Sequence, residues 1–159
     1  MKYQMLDFDI QDNVAWITIN RPAALNAINL QAVKELYDVA NRCGADKSVR
    51  AAVLTGAGDR AFCAGGDVAD FAAHPDTIET LVKEMTGYLH LAVSRFAWMR
   101  APLIGAINGV AAGGGWSLAL ACDLAIAAEN AKFASAYTQL GFTPDGSSTF
   151  FLARLLGRR

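Results

Sequence analysis

PLIGAINGVAAGGGWSLALACD, residues 102–123, is the stretch whose reading decides the fold. The segment from Ala101 to Cys122 carries no charge, and Gly105, Gly109 and Gly113 repeat at the four-residue spacing of packed membrane helices. Against a membrane span stand Pro102 at its start, Asn108 in its middle, five glycines and only seven large apolar side chains. A buried strand (102–107), a tight turn and a buried helix (114–122) account for the same letters. Gly113 directly precedes that helix and Gly114 and Gly115 open it. A glycine run costs backbone entropy on folding, so it belongs where positive φ or very close approach by another group is needed.

On both sides of this stretch, strand and helix signals alternate. VAWITIN (14–20) is β-branched and aromatic and runs into Arg21-Pro22, as a strand entering a loop does. Asn29 caps a helix whose apolar face is Leu30, Val33, Leu36, Tyr37 and Ala40, ending near Gly44. AAVLTG (51–56) is a short apolar strand. His74-Pro75-Asp76 opens a longer helix, with Asp76 and Glu79 spaced as a capping pair and an apolar face from Ile78 to Phe96; it must stop before Pro102. LAIAAE (124–129) is another strand and SSTFFLARLLG (147–157) a last amphipathic helix. This order predicts one α/β domain over residues 1–159, with buried, largely parallel strands and ligand-binding loops at their C-terminal ends. No internal repeat or linker is visible. The sequence stops at RLLGRR as a helix is finishing, which suggests the N-terminal part of a longer protein.

Composition narrows the function. A chain of 159 residues with 53% hydrophobic residues can bury one core. Lys and Arg number 14 against 15 Asp and Glu, with no basic run, so nucleic acid is not an expected partner. Cys43, Cys63 and Cys122 are odd in number and widely spaced, which fits neither a disulfide framework nor a metal site and points to a reducing, cytoplasmic setting. The N-terminus has no secretory pattern. TGAGDRA (55–61) matches the GxGxxA phosphate turn, but the FCAGGD that follows shows no helix start, so a nicotinamide site is not indicated.

Two glycine sites, FCAGGD (62–67) and GGGW (113–116), each lie just past an expected strand. Their glycines could be plain turn residues. They could equally expose two backbone N–H groups to one carbonyl oxygen, stabilising negative charge that develops there, with the dipole of the following helix adding to the effect.

RPAALNAI (21–28), AFCAGGDV (61–68), PLIGAINGVAAGGG (102–115), LALACDLAIAAENAKF (118–133) and LGFTPDGSS (140–148), in this order and spacing, resemble the enoyl-CoA hydratase/isomerase (crotonase) superfamily. The resemblance implies a crotonase-like spiral of repeated β-β-α units, continued in relatives by C-terminal helices that close the acyl pocket and build a homotrimer or dimer of trimers. It implies an acyl-CoA thioester as the bound partner, with no other cofactor, because CoA is part of the substrate. Matched residue by residue, the oxyanion donors are Gly66 and Gly114. Ala24 and the loop of Ala64, Gly65, Gly66, Asp67 and Val68 would hold the adenine and pantetheine parts. Asp67 is also the kind of acid that bonds its own glycine-rich loop.

Hydration in this superfamily uses two glutamates, at the positions of Ser117 and Tyr137, and neither is acidic here. A hydroxyl and a phenol are poor general bases without help. The remaining acid is Asp145 in TPDGSS. Taken alone it reads as an N-cap worth about 1 kcal/mol. The segment around it resembles the branch containing enoyl-CoA and ring-epoxide isomerases, where a matching aspartate shuttles the proton. It also resembles 4-chlorobenzoyl-CoA dehalogenases, in which that aspartate is a nucleophile accompanied by groups at the positions of His90 and Tyr137; the small residue Gly66 speaks against this branch, and His90 can be purely structural. Hydratase activity, or an inactive CoA-binding or oligomerising fragment, stays open. Trp98, Trp116, Phe142 and Tyr137 would suit an aromatic acyl group or serve as core.

Overall fold

Leu6, Phe8 and Ile10 alternate with Asp7, Asp9 and Gln11, a period-two pattern that makes the first strand, β1 (Leu6–Gln11). It belongs to a computed structural model that describes residues 2–157. Asp12 and Asn13, both at positive φ, turn β1 back onto β2 (Val14–Ile19) as an antiparallel hairpin. The N-terminal strand thus adds to the expected elements.

Asn29 caps α1 (Leu30–Ala45) as expected, accepting the Ala32 N–H. Glu35, buried on that helix, accepts the N–H groups of Gln4, Met5 and Leu6 at 2.9, 2.8 and 3.1 Å and ties the start of β1 to α1. β3 (Ala51–Gly56), β4 (Ala61–Cys63), α2 (Val68–Ala73) and α3 (Ile78–Trp98) follow. Two expectations change here. TGAGDRA leads into a strand, β4, and the helix after FCAGGD does exist, capped by Asp67. α3 begins after Thr77 with no side-chain cap, and Glu79 pairs with Lys83 instead of completing a capping box with Asp76.

The decisive stretch divides into β5 (Leu103–Ile107), β6 (Val110–Ala112) and α4 (Gly114–Leu120), so a third piece of strand replaces part of the expected turn. β7 (Leu124–Ala127), β8 (Lys132–Ala134) and α5 (Ser148–Leu156) complete the order. Among the described residues, no helix is long and apolar enough to cross a membrane.

The strands form a five-stranded sheet, β1-β2-β3-β5-β7, and a three-stranded sheet, β4-β6-β8. All pairings except β1–β2 are parallel. From β3 onward, the first strand of each pair enters the larger sheet and the second the smaller one, which is the repeated β-β-α unit. The repeat is invisible in sequence because β4, β6 and β8 have three residues each, too few for a period to register. The core lies between the larger sheet, α1 and α3, with Ile17, Leu36, Leu54, Phe96 and Leu103 fully buried. β7 departs from the expectation of buried strands: it is the sheet edge, and Leu124 and Ile126 are 61% and 71% exposed.

Candidate active site

β4 and β6 are parallel neighbours, so the turns leaving their C-terminal ends lie side by side. The first turn is Ala64-Gly65-Gly66 and the second Gly113-Gly114. Gly65 has φ +96°, and a Cβ there would sit 2.7 Å from the Ala112 carbonyl oxygen and 3.3 Å from the Gly114 nitrogen. Only glycine lets the turns approach this closely. Gly113, at φ +49°, reverses the chain into α4. The N–H groups of Gly66 and Gly114 have no hydrogen-bond partner among the described residues. Both residues line one cavity of about 210 Å³.

The first turn is held from the RPAALNAI side. Ile28 donates its N–H to the Gly65 carbonyl at 2.8 Å and accepts the Asp67 N–H at 3.0 Å. Ala64 donates to the Leu25 carbonyl at 3.1 Å, next to Ala24 on a 3-10 turn (Pro22–Ala24). Asn26, fully buried at φ 54°, donates to the carbonyls of Ala57 and Ala61 and accepts the Arg21 N–H. Arg21 in turn pairs with Asp67 at 2.8 Å. Asp67 therefore bonds the loop and caps α2, outside the cavity lining.

The cavity wall is apolar. Ile28, Phe71, Val82, Met85, Leu89 and Phe142 line it, and the rings of Phe71 and Phe142 meet edge to face across 6.5 Å. Of the residues expected to bind substrate, Ala64, Gly65, Gly66, Val68, Gly114, Tyr137 and Asp145 line this space; Ala24, Asp67 and Ser117 stand outside it. Phe71, Val82, Met85 and Leu89 escaped the sequence reading because their spacing on α2 and α3 is also that of ordinary core. Neither Trp98, which is 86% exposed, nor Trp116, which packs on Phe133, reaches the cavity.

Asp145 is the one carboxyl on the cavity lining. Its side chain does not cap α5. Instead Tyr137 donates its hydroxyl to Asp145 Oδ1 at 2.7 Å, and Ser117 Oγ, wholly buried, hydrogen-bonds Tyr137 and lies 3.0 Å from the Asp145 carbonyl oxygen. The carbonyl also accepts from Ser148, through N–H and Oγ, at 3.0 and 2.9 Å. The side chains at positions 117 and 137 are thus hydroxyls engaged with Asp145. Burial pushes the Asp145 carboxyl above its ordinary range, while donation from Tyr137 pulls it partly back. Burial also raises the Tyr137 phenol, against the bond to Ser117, so it is not a base at neutral pH. Cys63 and Cys122 are pushed up to about 12 by burial and are not nucleophiles. Among the described residues, no three His, Cys, Asp or Glu side chains cluster as metal ligands would.

The arrangement can bind a carbonyl oxygen between two backbone donors and offer one carboxyl of raised proton affinity to the adjacent carbons. Residues 9–159 match the family model described as enoyl-CoA hydratase/isomerase. The chain is 40% identical over 147 residues to a short-chain-enoyl-CoA hydratase of Clostridium acetobutylicum, covering 92% of this chain and 55% of that protein. It is 39% identical over 150 residues to the 1,2-epoxyphenylacetyl-CoA isomerase of Escherichia coli, covering 94% and 57%. A 4-chlorobenzoyl coenzyme A dehalogenase of an Arthrobacter species is 38% identical over 93% of this chain and 54% of its own length. An enoyl-CoA hydratase structure from Bacillus anthracis superposes with a TM-score of 0.89 at 33% identity, over 98% of this chain and 59% of that one. The chain spans less than three fifths of the length of these relatives.

Proposed function

The chain belongs to the enoyl-CoA hydratase/isomerase family, and from that membership we propose that it acts on an acyl-CoA thioester as an enoyl-CoA isomerase, with Asp145 as its proton shuttle. The observation that carries this reading is the Asp145 side chain itself: it lines the cavity with Gly66 and Gly114 and leaves the start of α5 uncapped. In the reaction, the thioester oxygen accepts the N–H groups of Gly66 and Gly114. The Asp145 carboxylate takes a proton from C2 of a 3-enoyl thioester, the electrons spread over the dienolate, and the same carboxyl returns a proton to C4. The double bond ends conjugated with the carbonyl. Two backbone donors stabilise the oxyanion throughout, and one carboxyl suffices because removal and return occur on the same face.

Hydration would need a second carboxyl to activate water, and Ser117 and Tyr137 supply none. In the dehalogenase reading Asp145 would attack an aromatic carbon and His90 would assist, but His90 Nε2 is already engaged with the Gly146 N–H. CoA would run along Ala24 and the Ala64–Val68 loop, no resident metal or cofactor enters the reaction, and the full-length protein would assemble as a homotrimer or a dimer of trimers. The test is turnover of 3-enoyl-CoA in deuterated buffer by full-length protein, wild type and Asp145→Asn. The variant should lose about 10²- to 10⁴-fold in rate while still binding the thioester. Equal turnover by both proteins would refute the assignment.

A further inference from the structure

Residues 141–147 join the 3-10 turn at Tyr137–Leu140 to α5 without a strand or helix of their own. Residues 141–144 are exposed; Asp145 is then half-buried and Gly146 buried. No ladder hydrogen bond brings the chain back to the cavity at this point. The return depends on bonds to α3 and α4. His90, on α3, accepts the Gly146 N–H on Nε2 at 2.9 Å. Gly146 is wedged between the same two helices: a Cβ on it would lie 2.6 Å from Ser117 Cβ and 3.7 Å from Leu89 Cδ2. The other face of the Asp145–Gly146 peptide, its carbonyl, accepts from Ser148 and faces Ser117 Oγ.

We infer that His90 is a positioning residue: by latching the Asp145–Gly146 peptide to α3, it aims the Asp145 carboxyl into the cavity beside Gly66 and Gly114. The inference rests on the reading of Asp145 as proton shuttle. A buried peptide N–H requires an acceptor, and Nε2 provides it. A proton-transfer group must also be held to within about 0.5 Å of its working position, which a segment with no secondary structure does not achieve unaided. His90 does not line the cavity and makes no hydrogen bond to the Asp145 carboxyl, so its effect travels through the peptide. With Nε2 engaged, that nitrogen is not available to take a proton from substrate or water.

The test compares His90→Leu, His90→Asn and His90→Gln in the full-length protein. The Gln amide oxygen reaches as far as Nε2 and can accept the same N–H, whereas the Asn amide falls one bond short and Leu has no acceptor. Two quantities are read: amide exchange of residues 143–148 by mass spectrometry, and the kinetics of 3-enoyl-CoA turnover. His90→Leu and His90→Asn should speed exchange in this segment and lower kcat by about 10- to 100-fold, with KM changed less than about threefold. His90→Gln should restore protection and bring kcat to within a few-fold of wild type. Exchange unchanged in His90→Leu and His90→Asn, equal losses in all three variants, or a loss confined to KM would each overturn the inference. Asp145→Asn in the same assay separates it from the functional reading. If that variant turns over like wild type, the shuttle assignment fails, and the exchange data alone decide the latch.

Discussion

Substituting Gly115 by Ala should separate the two glycine turns that we propose hold the oxyanion donors, Gly66 and Gly114. Gly115 follows the second donor and packs α4 directly on β4: a Cβ there would lie 2.0 Å from the Cys63 carbonyl oxygen and 2.7 Å from the carbonyl carbon. These are backbone atoms that cannot rotate away. Ordinary contact begins at 3.4 Å, so α4 and β4 must part by about 1.4 Å. Cys63 leads into Gly65 and Gly66, and Gly115 is joined to Gly114, so the displacement falls on the distance between the two donors. Overpacking of this kind costs roughly 1–3 kcal/mol, which for a domain of this size lowers Tm by about 3–10 °C. A 1 Å misplacement of catalytic groups costs on the order of 10²-fold in rate. The assays are thermal unfolding followed by circular dichroism and turnover of 3-enoyl-CoA. Gly87→Ala is the internal control: it lies inside α3 with nothing within 4 Å of the new Cβ, so it should gain about 0.5–1 kcal/mol with unchanged turnover. Wild-type Tm and turnover in Gly115→Ala would refute the packing argument; a lowered Tm with unchanged turnover would refute the link to the donors.

Two further outcomes follow from the same geometry. As a base Asp145 must be ionised, so kcat/KM rises with pH through its titration, in a range that burial places above the ordinary carboxylate value; Tyr137→Phe removes a donor that holds the carboxyl down and should move this limb to still higher pH. A pH–rate profile whose limb stays in place, or moves toward acid, contradicts the role given to Tyr137. Asn26→Ala should destabilise by about 3 kcal/mol, because it removes the partner of the buried Ala61 carbonyl and of the part-buried Ala57 carbonyl and Arg21 N–H, around a side chain that is itself fully buried. A loss below about 1 kcal/mol in urea unfolding would show that water replaces those bonds.

The motifs that carried chemistry were readable because their residue types have few alternatives. A triple glycine before an apolar helix implies close approach, and Gly65 and Gly113 do meet within contact distance of the facing turns. Long amphipathic elements such as α1 and α3 declared themselves by period, whereas β4, β6 and β8 were too short to do so. β1 is a weaker signal than β2: Leu6, Phe8 and Ile10 alternate, but Asp7, Asp9 and Gln11 between them are residues that strands seldom favour, and pairing with β2 across the Asp12-Asn13 turn is what holds it. Asp76 and Glu79 had the spacing of a capping box without forming one, since Glu79 had Lys83 one turn away as an alternative partner.

From its sequence alone, the chain determined an α/β class, family resemblance, the two glycine turns, and Asp145 as the leftover acid. Those features are local or compositional, and local interactions repeat wherever the same residues recur. Tertiary structure decided that the two turns abut, because β4 and β6 pair in parallel across about fifty intervening residues. It also decided that Asp145 faces Tyr137 instead of capping α5, and that His90 meets Gly146. An aspartate before a helix has two satisfactory partners for its oxygens, the helix N–H groups or a buried phenol, and only the packing of α3, α4 and the 137–140 turn around it selects between them.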